Sequence, residues 1–435
     1  MLGSVFIALV LRVGGTALWL LFSVVVARAL SLEDFGFVFF AINVIMIGGA
    51  ISVMGYDVTV LRFGSILWRD QKKQEFRNLL AEARQAVFIM GLIVSVGLAL
   101  ATLLGLDTPV TNDLPIALLV GASIVAIGFM SVERDVLRAA GKLQQALFAF
   151  SIIRSLVPLV LIAVAWPFGI LTTNFVLIAV GIALLSSLAW DRWCLHKLAL
   201  PKREMIALPH LRIALITWSG DAGLVVLLRA PAIVIGLTGG LGAAALFIAA
   251  ERISQLGTFF TEAVRTAVGP NLAQANENER QKAVTHASML MLVSGMIGSI
   301  LLLVFGAIFL WLFGPEYRPA FPALIALLIG QTSWAILGPT ALVLNMFGEA
   351  KVRSLISILA AIGLLILLPL FDTALAAAIV VAAISWAMNF GLCLAIYIRL
   401  GLRCGVFGIG MSDAKNIWKS EMKTVLKFTQ GHREV

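Results

Sequence analysis

The chain has 435 residues, of which 61% are hydrophobic and 13% are charged, and its mean hydropathy is +1.03. A soluble domain carries about 25% charged residues. This composition therefore excludes a water-soluble globular protein and indicates a chain whose main solvent is lipid. The net charge of +9 would by itself also fit a nucleic-acid-binding protein, but the Lys and Arg residues are placed as in a membrane protein.

About twelve long apolar runs predict an all-α polytopic membrane protein. A transmembrane helix needs about 20 mostly apolar residues. The runs lie approximately at 5–30, 36–58, 86–106, 114–132, 146–165, 170–190, 213–237, 241–262, 285–313, 320–344, 352–371 and 374–398. The first run is too long for the apolar part of a secretory signal peptide, and no small-residue cleavage site follows it. We therefore interpret it as the first span.

The Lys and Arg residues between the spans predict the orientation. Most of them lie after the even-numbered spans and in the C-terminal tail, whereas the other side holds only Arg28, near the end of span one, and Arg318. Loops rich in Lys and Arg stay in the cytoplasm. The pattern thus predicts a bacterial inner-membrane protein with both termini in the cytoplasm, and it assigns the basic excess to anionic lipid rather than nucleic acid.

The segment 191–212, which contains Pro201 and Pro209, separates six spans from six. We therefore expect an N-terminal six-helix lobe at 1–195 and a C-terminal six-helix lobe at 196–398. A weak similarity between 30–36 and 237–242 suggests that the lobes are repeats. With an even number of spans in each, the repeats would be parallel.

The remaining residues, 399–435, are predicted to form a basic cytoplasmic tail with an amphipathic helix from Ser412 to Thr429. Its lysines recur at every fourth position, and its apolar residues fall on the other side; the lysines are Lys415, Lys419, Lys423 and Lys427. Such a helix can lie on the inner membrane surface. A docking helix for a partner, such as a polysaccharide polymerase, is the alternative.

Charged residues inside the predicted spans are the candidate substrate-binding residues. Ionisable groups are costly in lipid, so they face a bundle interior or a watery cavity. The candidates are Arg12 in span one, Asp57 in span two, Arg154 in span five, Asp221 and Arg229 in span seven, and Glu251 and Arg252 in span eight. One interpretation is structural: Arg229 pairs with Asp221 or Glu251 and holds helices together.

The other interpretation is a cavity for an anion, because these positions place four arginines against three acids. Arginine suits a diphosphate, since its planar guanidinium group stays charged and donates two parallel hydrogen bonds. We expect Arg12 and Arg252 to face such a cavity.

No P-loop, zinc-type His/Cys cluster or nucleophile elbow occurs in the sequence. The predicted outer loops, such as 107–113 and 166–172, are short, whereas a membrane enzyme of polysaccharide assembly would need a larger one. We therefore expect neither an enzyme nor a cofactor or metal site.

Five short segments resemble bacterial polysaccharide flippases of the multidrug/oligosaccharidyl-lipid/polysaccharide exporter superfamily. Their order and spacing carry the resemblance, which covers about residues 1–400. They are RVGG at 12–15, VARALSLEDFG at 26–36, AAERI at 249–253, LFGPEY at 312–317 (followed by Ala320), and NMFGEAK at 345–351.

The resemblance implies two six-helix lobes around a central cavity. It also implies translocation of undecaprenyl-diphosphate-linked oligosaccharide from the inner to the outer leaflet. Arg252 matches the eighth-span arginine of the related lipid II flippases, and Arg12 approximately matches their first-span arginine. This sequence lacks the acid that follows in their first span and shows no counterpart of their two extra C-terminal spans. We therefore expect a repeat unit of O-antigen, capsule or exopolysaccharide rather than lipid II.

Three alternatives stay open. A cation-coupled exporter of small amphipathic molecules would have an acidic lumen, which the in-span arginines disfavour. A membrane enzyme would transfer sugars in purified form. A structural subunit would have all its charges paired, so that arginine substitutions would lower its abundance.

Overall fold

The computed structural model describes residues 2–106, 108–201 and 210–409, and the regular elements within them are all helices. The first half contains α1 (Leu2–Ala29), α2 (Leu32–Val53), α3 (Tyr56–Thr59), α4 (Ser65–Arg69), α5 (Lys73–Leu103), α6 (Leu114–Ala139), α7 (Leu143–Leu147), α8 (Arg154–Ala165) and α9 (Thr173–His196). The π-helical turns Val60–Gly64 and Phe148–Ile153 lead into α4 and α8.

The second half contains α10 (Leu211–Thr238), α11 (Gly240–Ser254), α12 (Thr258–Gln274), α13 (Arg280–Phe313), α14 (Phe321–Ile336), α15 (Thr340–Met346), α16 (Ala350–Leu367) and α17 (Ala374–Leu400). The 3₁₀ turns Gln255–Gly257 and Pro315–Ala320 join α11 to α12 and α13 to α14.

The helices cover all the predicted spans. Within the described residues, ten helical segments are long and apolar enough to cross a membrane, and a shorter apolar stretch lies at Ala222–Thr238 in α10. The predicted span 241–262 is formed by α11 and the start of α12. The all-α, multi-pass prediction is confirmed.

Side-chain caps mark the entry of several spans. Ser31 accepts a hydrogen bond from the Asp34 amide at the start of α2, and Thr172 accepts one from the Phe175 amide at the start of α9. Thr373 caps α17 in the same way. Backbone groups at membrane depth must find such partners within the protein, so each cap fixes where a span can begin.

The helices pack as two bundles that correspond to the two halves of the chain. In the first, α5, α6 and α9 pack side by side, with α8 between α9 and α1. In the second, α13, α14 and α17 pack together, and α16 lies against α10 and α17. Helix α2 packs on both α10 and α11 and so joins the bundles. The lobe boundaries at 195/196 and 398/399 stay predictions, and the amphipathic tail helix lies outside the described residues.

The bundles meet closely at the end that is predicted to face outward, here called the outer end. A Cβ atom on Gly36 of α2 would lie 2.0 Å from the carbonyl oxygen of Leu241, so only glycine permits this approach. Arg28 donates from Nε to the carbonyl oxygen of Leu312 at 2.7 Å and from Nη2 to that of Trp311 at 2.6 Å. These contacts tie α1 to the end of α13.

Toward the other end of α1, Arg12 is exposed. On the α2 side, the bundles stay in contact at this end through the Trp218 indole, which donates to the carbonyl oxygen of Ala50 at 2.9 Å. The Glu82 carboxylate accepts from the His210 amide at 2.7 Å. The arrangement is therefore closed at the outer end and leaves α1 uncovered at the end that carries the basic loops.

Candidate substrate-binding site

Arg252 reaches from the second bundle to the first. It lies on α11 with a relative exposure of 5%. Its guanidinium carbon is 5.7 Å from the centre of the Trp19 ring on α1 and 5.2 Å from that of Phe39 on α2. Nη1 donates a long hydrogen bond of 3.4 Å to the Gln255 side chain, and Nε has no partner among the described residues. Ring faces stabilise a guanidinium group but leave its N–H donors unused.

Arg154 approaches the same indole from the first bundle. Its guanidinium carbon is 5.7 Å from the Trp19 ring centre and 4.2 Å from that of Phe150. Its Nε is also buried without a hydrogen-bond partner in the described part of the chain. Arg154 follows directly on the π-helical turn that contains Phe150. Such turns shift the direction of the following side chains and are frequent at functional sites.

Arg229 and Glu251 complete the group that we call the arginine cluster, defined by Arg154, Arg229, Arg252 and Glu251. The charge of Arg229, on α10, acts on Arg154, on Arg252 and on Glu251. The Glu251 carboxylate is 8% exposed and accepts from the Gln255 amide at 3.0 Å. Its other oxygen lacks a partner among the described residues. With three guanidinium groups and one carboxylate, the cluster is positive.

The structure does not bring the other candidates into the cluster. Arg12 is exposed on α1, seven residues before Trp19 and so about 10 Å along the helix. Asp57 lies on α3, where its carboxylate accepts from the Val58 amide at 2.9 Å and acts electrostatically on Arg134. Asp221 lies on α10, but its side chain is outside the described part of the structure. The roles predicted for all of these residues stay predictions.

Arg134, which lies just beyond the span predicted at 114–132, belongs to the helix that forms this span. Helix α6 continues to Ala139, and the Arg134 side chain, 17% exposed, lies with its guanidinium carbon 4.5 Å from the Phe150 ring centre. The charge is tolerated in the helix because Asp135 accepts from it at 2.7 Å. Hydropathy places the end of a span at the first charged residues. The helix itself continues beyond that point, where the charges of Arg134 and Asp135 are paired.

The aromatic residues of the site were also missed. Trp19, Phe39 and Phe150 line the arginine cluster, but aromatic residues are common in apolar spans, and their sequence positions do not distinguish these three. Together the rings and guanidinium groups form a site that holds unused hydrogen-bond donors against apolar surfaces. Chemically, this suits a ligand with anionic oxygens next to an apolar part.

Comparison with solved structures shows a shared fold. An inward-facing MATE-family multidrug-resistance transporter of the MOP superfamily aligns with a TM-score of 0.70 at 15% identity, covering 89% of this chain and 94% of that one. The lipid II flippase MurJ, in an inward closed conformation, aligns with a TM-score of 0.69 at 14% identity, covering 98% of this chain and 92% of that one. This chain has the fold that these two proteins share.

A third structure with the MOP fold is a transporter from Pyrococcus furiosus, described as having a binding pocket of reverse polarity. It aligns with a TM-score of 0.62 at 16% identity, covering 91% of this chain and 94% of that one. No protein-family model and no curated protein matches this sequence. At these identities the likeness concerns the fold, and it confirms the predicted resemblance in fold to proteins of this superfamily, with about twelve helices in two lobes.

The arginine cluster brings together side chains from both halves of the chain. Arg252 and Arg229 come from the second half of the chain, whereas Arg154 and Trp19 come from the first. A ligand that bridges these groups would therefore contact both lobes at once.

Proposed function

We propose that this chain is a flippase that moves undecaprenyl-diphosphate-linked oligosaccharide repeat units from the inner to the outer leaflet of the bacterial inner membrane by alternating access. The observation that carries the proposal is a pair of guanidinium groups. Those of Arg154 and Arg252 both contact the Trp19 ring, and their Nε atoms lack hydrogen-bond partners among the described residues. Unused donors of fixed charge are what a diphosphate requires. MurJ, which shares this fold, is a lipid II flippase, and this supports a lipid-linked substrate.

The physical task of such a protein is to carry a diphosphate and sugars through hydrocarbon. An unpaired charge cannot cross this region without great cost. In the proposed mechanism, the arginine cluster replaces water around the diphosphate, and the isoprenoid chain stays in lipid between the lobes. Trp19 and Phe39 hold Arg252 in place, so little side-chain freedom is lost on binding.

The closed outer end sets the starting point of the cycle. Because Arg28 joins α13 at that end and Arg12 is exposed at the other, the substrate would enter from the inner leaflet. Opening toward the outer leaflet must break the Arg28 hydrogen bonds and separate Gly36 from Leu241. Membrane lipid is then a direct partner, and a polymerase would receive the product on the outer side.

An ion-coupled exporter of small amphipathic molecules is the second candidate function. Two observations favour it: the buried Glu251 oxygen without a partner in the described chain, and the ring faces of Trp19 and Phe150, which can bind organic cations. The MATE-family neighbour is described as a multidrug-resistance transporter. Such an exporter would bind cations more tightly after arginine is removed, whereas the proposed flippase would bind anions less tightly.

The deciding experiment measures the leaflet distribution of undecaprenyl-linked oligosaccharide in cells depleted of this protein. We expect the lipid to accumulate on the cytoplasmic leaflet and to be redistributed by the wild-type protein but not by Arg252→Ala. Arg318→Ala, which changes an exposed arginine near the outer end, is the matched control and should restore transport. An unchanged distribution on depletion would contradict the proposal and direct the search to exported cations.

A further inference from the structure

A fully buried acid lies outside the arginine cluster. Asp191, near the end of α9, has a relative exposure of 0%. Neither Oδ1 nor Oδ2 has a hydrogen-bond partner in the described part of the chain. An ionised carboxylate without partners is very unfavourable in a protein interior, and such a group becomes neutral instead.

The nearest charges show why Asp191 has no partner. Glu133, buried on α6, accepts from Arg84 at 2.8 Å and from Arg192 at 3.3 Å. Asp135, also on α6, accepts from two further guanidinium groups, those of Arg134 at 2.7 Å and Arg138 at 2.6 Å. Each of these two carboxylates therefore has a pair of arginines.

The groups around Asp191 come from several elements. From α6, the negative charges of Glu133 and Asp135 and the positive charge of Arg134 act on it. Its own helix adds the Cys194 thiol and Arg192, which pairs with Glu133. The neighbouring segments Leu143–Leu147 and Phe148–Ile153 contain no titratable residue, and α8 begins with Arg154. Two acids thus face Asp191 against one arginine that is already bonded to Asp135.

We propose that Asp191 is a proton-binding site in the first bundle and that Arg134 links it to the arginine cluster. The proton comes from cytoplasmic water, neutralises one carboxylate oxygen and returns to water when the site opens. A proton fits better than a metal ion, because no group of three or more His, Cys, Asp or Glu residues within the described chain could hold one.

The link is made by the ring of Phe150, which both Arg134 and Arg154 contact. Loss of the proton creates a negative charge beside Arg134 and draws its guanidinium group toward Asp191. The positive potential at Arg154 then falls. Release of the proton from Asp191 is thereby coupled to release of an anion from the arginine cluster. This coupling rests on the proposed function, whereas the proton site itself does not.

Infrared spectroscopy tests the proton site directly. The full-length protein in lipid nanodiscs, labelled with ¹³C in the aspartate carboxyl group, should show the carbonyl stretch of a protonated carboxylic acid at neutral pH. This band should be lost in Asp191→Asn and kept in Asp113→Asn, which changes an exposed acid at the start of α6. Absence of the band in the wild-type protein, or its persistence in Asp191→Asn, would overturn the proposal. If Asp191→Asn does not fold, Asp191→Glu takes its place, because it keeps the acid but removes the labelled aspartate at this position.

Binding of farnesyl diphosphate tests the link. The affinity of the wild-type protein for this probe should fall with rising pH, as Asp191 loses its proton. A unit charge about 10 Å from the probe, at an effective dielectric constant of about 20, lowers the affinity by about tenfold. In Asp191→Asn this part of the pH dependence should be lost. Equal pH dependence in both proteins would refute the link. Failure of the probe to bind at any pH would contradict the proposed function and leave the infrared result standing.

Discussion

Replacing Arg252 by alanine removes a guanidinium group that is 95% buried and held against two rings. A hydrogen bond to a charged group contributes about 1.5–3 kcal/mol. Loss of one bidentate contact to a diphosphate therefore costs about 3 kcal/mol or more, which is over a hundredfold in affinity. Arg252→Lys keeps the charge but loses the planar fork, so we expect it to bind with an intermediate affinity.

The assay is titration of the purified protein in nanodiscs with farnesyl diphosphate, with Arg318→Ala as the control. Among the described residues, Arg252 makes one long side-chain hydrogen bond, to Gln255, so its removal should cost about 1–2 kcal/mol of stability from the two ring contacts. A hundredfold fall in affinity together with only this modest loss of stability supports the anion site. Unchanged affinity in a folded Arg252→Ala protein refutes it, and a loss of abundance without any change in affinity favours a structural role for the charge.

Three further substitutions test the contacts between the bundles. Gly36→Val places a side chain against the Leu241 carbonyl, so it should prevent closure of the outer end and abolish transport in the leaflet assay. The control is Gly97→Ala, at a position with open space, which should leave transport unchanged. Arg28→Ala removes two hydrogen bonds to α13 and should increase the distance between spin labels on the outer ends of α1 and α13. An unchanged distance would show that these hydrogen bonds do not hold the outer end closed. Glu82→Gln weakens the contacts to His210 and Tyr56 and should lower the free energy of unfolding by about 1–3 kcal/mol. Glu75→Gln, at the exposed start of α5, is the control. Equal stabilities of the two variants would contradict the role of the Glu82 contacts.

The spans and their number were predictable because lipid imposes them. About 20 apolar residues are needed for every crossing. The span at 241–262 could therefore be recognised across α11 and α12, although Glu251 and Arg252 interrupt the apolar run. The ends of the helices were less predictable. The span predicted at 114–132 ended before Arg134, because hydropathy registers a charge but not the Asp135 carboxylate that neutralises it.

The composition of the site was only partly predictable. Arg154 and Arg252 could be singled out as costly charges within spans, but hydropathy does not fix helix rotation. It could therefore not show that both would meet at Trp19 and that Arg12 would stay exposed. Nor could it separate Asp191, which the apolar window placed just beyond the sixth span, from an ordinary cytoplasmic acid. That distinction depends on which arginines the neighbouring Glu133 and Asp135 bind.

The bond between Arg28 and the end of α13 also has a consequence for the membrane around the protein. Peptide carbonyls at a helix end need a donor, and those of Leu312 and Trp311 receive theirs from the opposite bundle while the outer end is closed. Once the bundles separate there, water must replace the guanidinium group. In the proposed transport cycle, the outward-open form would therefore be favoured where this helix end reaches the headgroup region and disfavoured where a thicker bilayer covers it with hydrocarbon. Bilayer thickness would then determine how readily the protein opens outward.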